Sequence, residues 1–193
     1  RTCTYAAKGG HLEVLQWARS NGCGWSEDTC ACAAERGYLE VLKWLRNNGA
    51  EPCPWDEETC KNAVAGGHLE ILKWLRSQAE PCPWDENTCL LAASKGHLEM
   101  LQWARSDPLD PCPWNGAVCA FAAGGGHLKV LQWLRNDGLE PCPWSKLTCT
   151  FATENGHLEV LKWARSHGCP YDIKDLKCYA KNHQLILEYL NTL

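Results

Sequence analysis

The sequence has 193 residues, 45% of them hydrophobic, which is enough for a folded unit with a buried interior. Its 19 Lys and Arg and 23 Asp and Glu give a formal net charge of −4, and neither sign is gathered into a long block. This pattern argues against a nucleic acid or an anionic membrane held by bulk electrostatics. No apolar run approaches the ~18 residues that span a bilayer, and no secretory signal is visible, so we expect no membrane insertion. Because Arg1 falls inside a repeat, we expect the sequence to be a piece of a longer chain.

An internal repeat runs through the sequence. A string of the type Gly-His-Leu-Glu begins at residues 10, 37, 67, 96, 126 and 156. Each string opens a largely apolar segment, and between positions 69 and 75 only Glu70 and Lys73 are polar. Such a wide apolar face predicts a helix covered on both sides by its neighbours, which we call helix B. An Arg in the last turn and a later Gly are predicted to end it: Arg19 with Gly22, Arg46 with Gly49, Arg135 with Gly138, and Arg165 with Gly168.

A second helix, helix A, is predicted before each helix B. The residue after each recurring Trp or Tyr is a favoured N-cap residue, namely Ser26, Asp56, Asp85, Asn115, Ser145 or Asp172. Position N1 follows this cap and N3 is usually Thr. N7 is Ala in the repeats before the degenerate last one, which allows neighbouring helices to approach closely; these residues are Ala6, Ala33, Ala63, Ala92, Ala122 and Ala152. The aromatic residue before the cap and the Cys at N4 have the spacing of a hydrophobic staple. The N4 residues are Cys30, Cys60, Cys89, Cys119 and Cys149.

The join between the two helices, Ala92-Ala93-Ser94-Lys95-Gly96-His97-Leu98-Glu99 in one copy, resembles the ankyrin repeat family. The resemblance covers nearly the whole chain. Two features depart from the family: Thr-Cys replaces the TPLH box, and the connection that forms a β-hairpin is short or carries Pro on both sides of a Cys. We therefore expect an all-α, ankyrin-like solenoid of about seven helix-turn-helix repeats with truncated β-hairpin loops.

The repeats are expected to form a single domain over residues 1–193. Its units are a partial repeat at 1–22, followed by repeats at 23–49, 50–78, 79–107, 108–137 and 138–167. The last unit, 168–193, is degenerate, with Asn182-His183-Gln184 where Gly-His-Leu stands elsewhere. Terminal repeats are expected to be atypical, so this unit is predicted to be a C-terminal capping repeat.

Fourteen Cys, several at the spacing of Cys53 and Cys60, allow three interpretations. We favour buried free thiols that act as small hydrophobic side chains. Disulfides would have to join a loop Cys to an N4 Cys, because equivalent Cys in stacked repeats should exceed the ~4.4 to 6.8 Å Cα separation that a disulfide needs. Zinc would need ligands that converge from two loops, and no CxxC knuckle occurs. We expect no metal.

The histidines and glycines suggest no catalytic site. His68, His97, His127 and His157 recur at the start of helix B, which favours a structural hydrogen bond. His167 and His183 fall outside this register, without a neighbouring nucleophile and base. The run Gly124–Gly126 lacks the Lys-Ser/Thr of a phosphate loop. We expect a protein that is not an enzyme, with no cofactor and no small-molecule substrate.

Positions that differ between repeats while remaining exposed are the candidates for partner binding. By its resemblance to ankyrin repeats, helix A would line the concave side that contacts a partner protein. Acidic residues at N1 and N2 have a second explanation, because carboxylates stabilise the first turn of a helix. The candidates are Glu27, Asp28, Glu35, Arg36, Glu57, Glu58, Lys61, Glu86, Asn87, Leu90, Ser94, Lys95, Lys146, Leu147, Glu154 and Asn155.

Two further rows of residues complete the prediction. The mostly apolar N6 row is predicted to pack between repeats rather than form an exposed patch with Leu90. Its members are Tyr5, Cys32, Asn62, Leu91, Phe121 and Phe151. Glu-Lys pairs of helix B, such as Glu70 and Lys73, predict a solvated outer face.

The function expected from the sequence is a non-catalytic scaffold that binds another protein through helix A. The alternative is an architectural subunit packed permanently in a larger assembly. Free thiols favour a reducing compartment, so we expect an intracellular, cytoplasmic or nuclear, location.

Overall fold

The computed structural model describes residues 1–47, 51–107, 110–136 and 141–193. Within these ranges the chain forms fourteen α-helices, one 3₁₀ turn and no strand, which confirms the predicted all-α fold and its seven helix pairs. The A helices are α1 Thr2–Lys8, α3 Glu27–Arg36, α5 Glu57–Ala65, α7 Glu86–Lys95, α9 Gly116–Gly124, α11 Lys146–Glu154 and α13 Ile173–Tyr179. The B helices are α2 Leu12–Ser20, α4 Leu39–Asn47, α6 Leu69–Arg76, α8 Leu98–Arg105, α10 Leu128–Asn136, α12 Leu158–Ser166 and α14 Gln184–Asn191, with the 3₁₀ turn Ala180–Asn182 before α14.

The helices are grouped in two compact units, Arg1–Thr88 and Cys89–Leu193, and the boundary falls within α7. In the first unit α1, α3 and α5 pack side by side, and each also packs against its own B helix. In the second unit α9, α11 and α13 are neighbours in the same way. Each unit is therefore a stack of helix pairs.

Helix A begins where the sequence predicts, because the N-cap residues hold the first turn. Ser26, Asp56, Asn115, Ser145 and Asp172 are all N-caps. The Ser26 amide donates to Oγ1 of Thr29 at N3, 3.4 Å away, and this reciprocal bond completes a capping box. The N3 Thr thus reaches back to the cap as expected.

The buried edge of helix A consists of small side chains. In α3 the residues at N3, N4, N7 and N8, Thr29, Cys30, Ala33 and Ala34, are all 0% exposed. At 100° per residue these four positions lie on one side of the helix. Small side chains there allow neighbouring A helices to pack closely.

Helix B begins at a histidine that is hydrogen-bonded to the preceding repeat. Nε2 of His68 lies 3.1 Å from the Glu35 carbonyl, and His127 and His157 make the same bond to N9 carbonyls at 2.9 and 3.0 Å. The predicted structural role is confirmed for these three. His183 makes this bond too, at 2.8 Å from the Glu154 carbonyl, so its assignment outside the register was wrong.

The glycine at the start of the preceding helix B makes room for that histidine ring. Gly37 has φ +84°, and a Cβ added there would lie 2.7 Å from the ring of His68. A side chain at this position would therefore meet both an unfavourable backbone conformation and the neighbouring ring. Of the glycines predicted to follow helix B, Gly22 and Gly168 have φ of 78° and 82°, as expected, whereas Gly49 and Gly138 lie outside the described residues.

The aromatic residue before helix A packs against its own helix B. The rings of Trp55 and Trp74 meet edge to face with centroids 5.9 Å apart. The predicted staple partner of Trp55, Cys60, instead directs its Sγ to the Cys82 carbonyl, 3.7 Å away. The recurring Trp therefore connects the two helices of a repeat.

The fourteen cysteines are free thiols, and eleven of them are buried. The N4 thiols of Cys30, Cys60, Cys89 and Cys119 donate to the carbonyl of the loop Cys in the next repeat, as Cys30 does to Cys53 at 3.9 Å. Four loop thiols, those of Cys53, Cys82, Cys142 and Cys169, donate to the carbonyl of the cap residue in the previous repeat, as Cys53 does to Ser26 at 3.4 Å. The sequence spacing suggested Cys60 as the neighbour of Cys53, but these bonds join repeats through Cys30. Their burial agrees with the role of small hydrophobic side chains.

Candidate protein-binding surface

One face of helix A remains uncovered in both units. Positions N2, N6 and N9 are separated by four and three residues, so they share a face, and N6 stands 200° from the buried N4 position. None of the six N6 residues is buried: Tyr5 and Phe121 are exposed, and Cys32, Asn62, Leu91 and Phe151 are half-buried. The prediction that the N6 row packs between repeats is confirmed only in part: Phe121 and Phe151 pack against each other between α9 and α11, but no N6 residue is buried, because the small residues at N3, N4, N7 and N8 form the buried edge.

In the first unit this face is polar and mostly acidic. Its candidates Glu27, Asp28, Arg36, Glu57, Glu58, Glu86 and Asn87 are exposed, and Glu35 and Lys61 are half-buried. The carboxylates at N1 and N2 stand at helix N-termini, where the helix dipole stabilises them. Their placement therefore serves the helix as well as a partner.

Lys61 connects two repeats across this acidic face. Its Nζ lies 2.8 Å from Oε1 of Glu58 and 3.5 Å from Oδ2 of Asp85, and 17% of its side chain is exposed. The hydrogen bond to Glu58 raises the pKa of Lys61. Burial opposes the charge of Asp85, but hydrogen bonds from Asn87 and Thr88 and the charge of Lys61 lower its pKa. Lys61 therefore has a structural role.

In the second unit the same face is apolar over two neighbouring repeats. The rings of Phe121 on α9 and Phe151 on α11 meet edge to face with centroids 5.7 Å apart. Phe121 is 41% exposed and Leu147, at N2 of α11, is 45% exposed. Sequence reasoning put the two Phe residues in the interior because large apolar side chains at helical spacing are usually core residues. Counting 200° from the buried N4 Cys would have placed them on the outer face.

The remaining candidates of the second unit surround this apolar area. Lys95, Lys146, Glu154 and Asn155 are exposed, and Leu90 and Ser94 are half-buried. Nζ of Lys146 lies 3.8 Å from Oδ2 of Asp175, an exposed and therefore weak ion pair. The amide of Asn155 donates to the Phe151 carbonyl at 2.9 Å, which holds it against α11. Lys95 and Glu154 are thus the exposed charges of this group for which the structure describes no ion pair.

The outer surface of helix B, unlike that of helix A, carries the same Glu-Lys ion pair in three repeats. Glu40 and Lys43 are paired at 2.7 Å, and so are Glu70 and Lys73, while Glu159 and Lys162 are paired at 2.9 Å. The carboxylates of these pairs are exposed, and the pairs lie within one helix three residues apart. The predicted solvated outer face of helix B is therefore present.

The described residues of the two units include neither a metal-binding cluster nor a membrane-spanning helix. No three His, Cys, Asp or Glu side chains among them lie together in a way that fits a metal ion. None of the helices in the described part of the chain has the length and apolar character needed to cross a membrane. What the A helices offer is a set of exposed side chains that changes from repeat to repeat.

Comparison with known proteins agrees with this architecture. Residues 30–76 match the family of ankyrin repeats (many copies), and no curated protein matches the sequence. The crystal structure of the human ASB11 ankyrin repeat domain is similar, with a TM-score of 0.59 and 16% sequence identity over 88% of this chain and 85% of that chain. At this identity the likeness concerns the fold. Ankyrin repeats generally mediate protein–protein interaction and are typically non-catalytic. Residues 30–76 are thus similar in sequence to the ankyrin repeat family, and the described helices are similar in fold to an ankyrin repeat domain.

Proposed function

We propose that this chain is a non-catalytic protein-binding scaffold whose A helices contact the partner. One observation carries the proposal: the residues that recur in every repeat are buried or hydrogen-bonded, whereas the residues that vary stand exposed on helix A. Helix B repeats the same Glu-Lys pairs on its outer side. Exposed side chains that vary more on helix A than on helix B favour helix A as the binding surface of the stacked repeats.

In the first unit the face suits a basic segment of a partner. Glu27, Asp28 and Glu57 are exposed, and no ion pair is described for them. A Lys- or Arg-containing segment would meet complementary charge there, which favours association and orientation. Lys61 would contribute by holding Glu58 and Asp85 in place.

In the second unit the face suits an apolar anchor. Phe121 and Leu147 are exposed and Phe151 is half-buried against Phe121, and aromatic residues often dominate the binding energy of interfaces. A partner side chain that covers the two rings would bury area that water now contacts. The buried free thiols are typical of a reducing compartment, so we place this interaction inside the cell.

Photo-crosslinking at single positions tests the proposal. A benzophenone amino acid is placed at Glu57 or Phe121 on helix A, and at Glu70 or Glu159 on helix B as matched exposed controls. A lysate of the source cells is irradiated with each variant, and the crosslinked proteins are identified by mass spectrometry. We expect one partner to be captured from the helix A positions, at least tenfold above the helix B positions. Equal capture from both helices would reject the assignment of the face.

Charge reversal then tests the acidic part of the face. Glu57→Lys, Glu58→Lys and Glu86→Lys together should abolish capture by a benzophenone amino acid placed at Glu27 in the same unit, while circular dichroism shows an unchanged fold. Unchanged capture would reject the acidic part of the site. A partner that never exchanges with free labelled protein would instead identify an architectural subunit.

A further inference from the structure

The apolar area of the second unit contains a pair of rings that a glycine holds together. The ring of Phe121 is exposed, and the half-buried ring of Phe151 meets it edge to face. A Cβ added at Gly124, which is N9 of α9, would lie 3.3 Å from Cβ of Phe151. Because Gly124 has no side chain, Phe151 lies against the backbone of α9 and supports the Phe121 ring. Little side-chain entropy is therefore lost when a partner covers Phe121.

Helix α9 carries no charged side chain, so its outer face differs from the acidic face of the first unit. Helices α3 and α5 each have two carboxylates in the first turn, whereas the first turn of α9 has none. Ala117 and Gly124, at N2 and N9, share the face of Phe121 and are small. A partner backbone can therefore approach the Phe121 ring closely.

Lys146 places a positive charge where the helix itself does not favour one. It occupies N1 of α11, and 65% of its side chain is exposed. The helix dipole stabilises carboxylates at this end of a helix and disfavours a cation, so the explanation that serves for Glu57 does not serve for Lys146. The pair with Asp175 at 3.8 Å is exposed and weak. Lys146 is therefore available, beside the exposed Leu147, to meet a negative charge of a partner.

The A helices of the second unit lie side by side in register. This unit includes α7 from Cys89 on. Near the start of the A helices, the thiols of Cys89 and Cys119 donate to the loop carbonyls of the next repeat at 3.8 and 3.6 Å. Near their ends, His127 and His157 are bonded to the N9 carbonyls of the preceding repeat. The same bonds at both ends keep α7, α9 and α11 parallel.

Two lysines consequently flank Phe121 along a diagonal across these helices. Lys95, at N10 of α7, is exposed, and the structure describes no ion pair for it. Phe121 follows at N6 of α9 and Lys146 at N1 of α11. With about 9 Å between helix axes and a rise of about 1.5 Å per residue, the Cα atoms of the two lysines each stand roughly 11 to 12 Å from that of Phe121. An extended chain covers this distance in about three or four residues.

We infer that the second unit binds an extended segment of the partner that has an apolar anchor side chain and an acidic residue about three or four positions away on each side. The anchor covers the Phe121 ring, and the two carboxylates pair with Lys95 and Lys146. Glu154, exposed at N9 of α11, repels a carboxylate at that end of the helix and so favours the path toward Lys146. This inference rests on the proposed scaffold function and adds the chemistry of the bound segment.

Selection from a phage-displayed library of random peptides, each about twelve residues long, tests the chemistry of this segment. The library is selected on the 193-residue protein, and peptides that bind Phe121→Ala equally well are discarded. We expect the remaining peptides to carry an aromatic or branched aliphatic residue with Asp or Glu on both sides. Basic or uncharged flanks in these peptides would overturn the inference, and so would the absence of any peptide that depends on Phe121.

Charge variants test the two lysines with the most enriched peptide, by fluorescence polarisation. Lys95→Glu and Lys146→Glu should each weaken binding about tenfold. Lys129→Glu is the matched control, because Lys129 is an exposed lysine on helix B of the same unit, and it should change the affinity by less than about twofold. Undiminished affinity in both Lys95→Glu and Lys146→Glu would overturn the inference. Circular dichroism verifies that each variant is folded.

A glycine variant tests the support of the ring pair. Gly124→Ala adds a methyl group within a helix, where Ala is favoured over Gly, so the fold should remain intact. The new Cβ would press on Phe151. We therefore expect Gly124→Ala to weaken peptide binding about threefold or more without loss of thermal stability. Unchanged binding would show that Phe151 does not position the Phe121 ring, and would contradict that part of the inference.

The photo-crosslinks from helix A distinguish a failure of this inference from a failure of the scaffold function. The crosslinked partner peptide from Phe121 is sequenced, and acidic residues on both sides of the crosslinked position would support the inference. A partner captured from Phe121 through a segment without acidic residues would overturn the inference and leave the scaffold function in place. A crosslink to a second copy of this chain would also overturn it. No capture from any helix A position would reject both.

Discussion

The guanidinium carbon of Arg46 lies 3.8 Å from the ring centroid of Trp55, and its Nη1 donates to the Cys53 carbonyl at 2.7 Å. Arg46 ends helix B of one repeat, whereas Cys53 and Trp55 open the next repeat. Trp55 in turn contacts Trp74 on the following helix B. The cation–ring contact recurs at 4.0 to 4.2 Å in Arg19–Trp25, Arg76–Trp84, Arg105–Trp114 and Arg135–Trp144. In these repeats the Arg at the end of helix B therefore holds the loop that opens the next repeat.

We expect Arg46→Ala to lower the free energy of unfolding by about 2 kcal/mol, because it removes a cation–π contact and a charge-assisted hydrogen bond. Arg46→Lys keeps the charge but loses the planar fork, so its cost should be intermediate. Lys43→Ala is the matched control on the same helix, and loss of its exposed pair with Glu40 should cost about 0.5 kcal/mol or less. Urea unfolding followed by circular dichroism measures all three. Equal costs for Arg46→Ala and Lys43→Ala would contradict the fastening role.

Gly37→Ala and Gly22→Ala separate backbone strain from steric conflict. Both glycines have positive φ, 84° and 78°, so each substitution should cost about 1 kcal/mol or more for the backbone alone. Only at Gly37 would the new methyl group also meet a ring, that of His68 at 2.7 Å. We therefore expect Gly37→Ala to be more destabilising than Gly22→Ala by about 1 to 3 kcal/mol. Thermal unfolding of the two variants provides the comparison, and similar losses would show that His68 moves aside freely.

The features that sequence predicted are those set by neighbours along the chain. Helix starts were predictable because Ser26 and Asp56 cap the turn that immediately follows them. Contacts between repeats could not be predicted in the same way. Stacking brings Cys30 to Cys53 and Arg46 to Trp55, and the spacing of the repeats along the sequence does not reveal these neighbours.

The exposure of the outer face of helix A was mispredicted for a different reason. The angular position of this face followed from the helix period. The large apolar side chains of Phe121 and Phe151 nevertheless led to the prediction that they lie in the interior. His183 was missed because its flanking residues changed while its bond to the Glu154 carbonyl did not. The residue types at N6 thus resemble those of the core, and residue type alone did not reveal that these side chains are exposed or half-buried.

Alkaline pH should destabilise the stack through its buried thiols. The hydrogen bond to Cys53 and burial raise the pKa of Cys30 above the ordinary value of 9.0. Cys30 therefore keeps its proton in the folded state while the unfolded chain loses it, so stability is fully present below pH 9 and falls as pH rises beyond it. The slope from one such thiol is about 1.4 kcal/mol per pH unit.

Urea titrations between pH 8 and 10.5 check this expectation. Cys30→Ala should reduce the loss of stability with pH by about 1.4 kcal/mol per unit above pH 9. Val64→Ala also truncates a buried side chain but removes no titratable group, so it should lower stability equally at every pH. An unchanged slope in Cys30→Ala would show that this thiol ionises alike in both states.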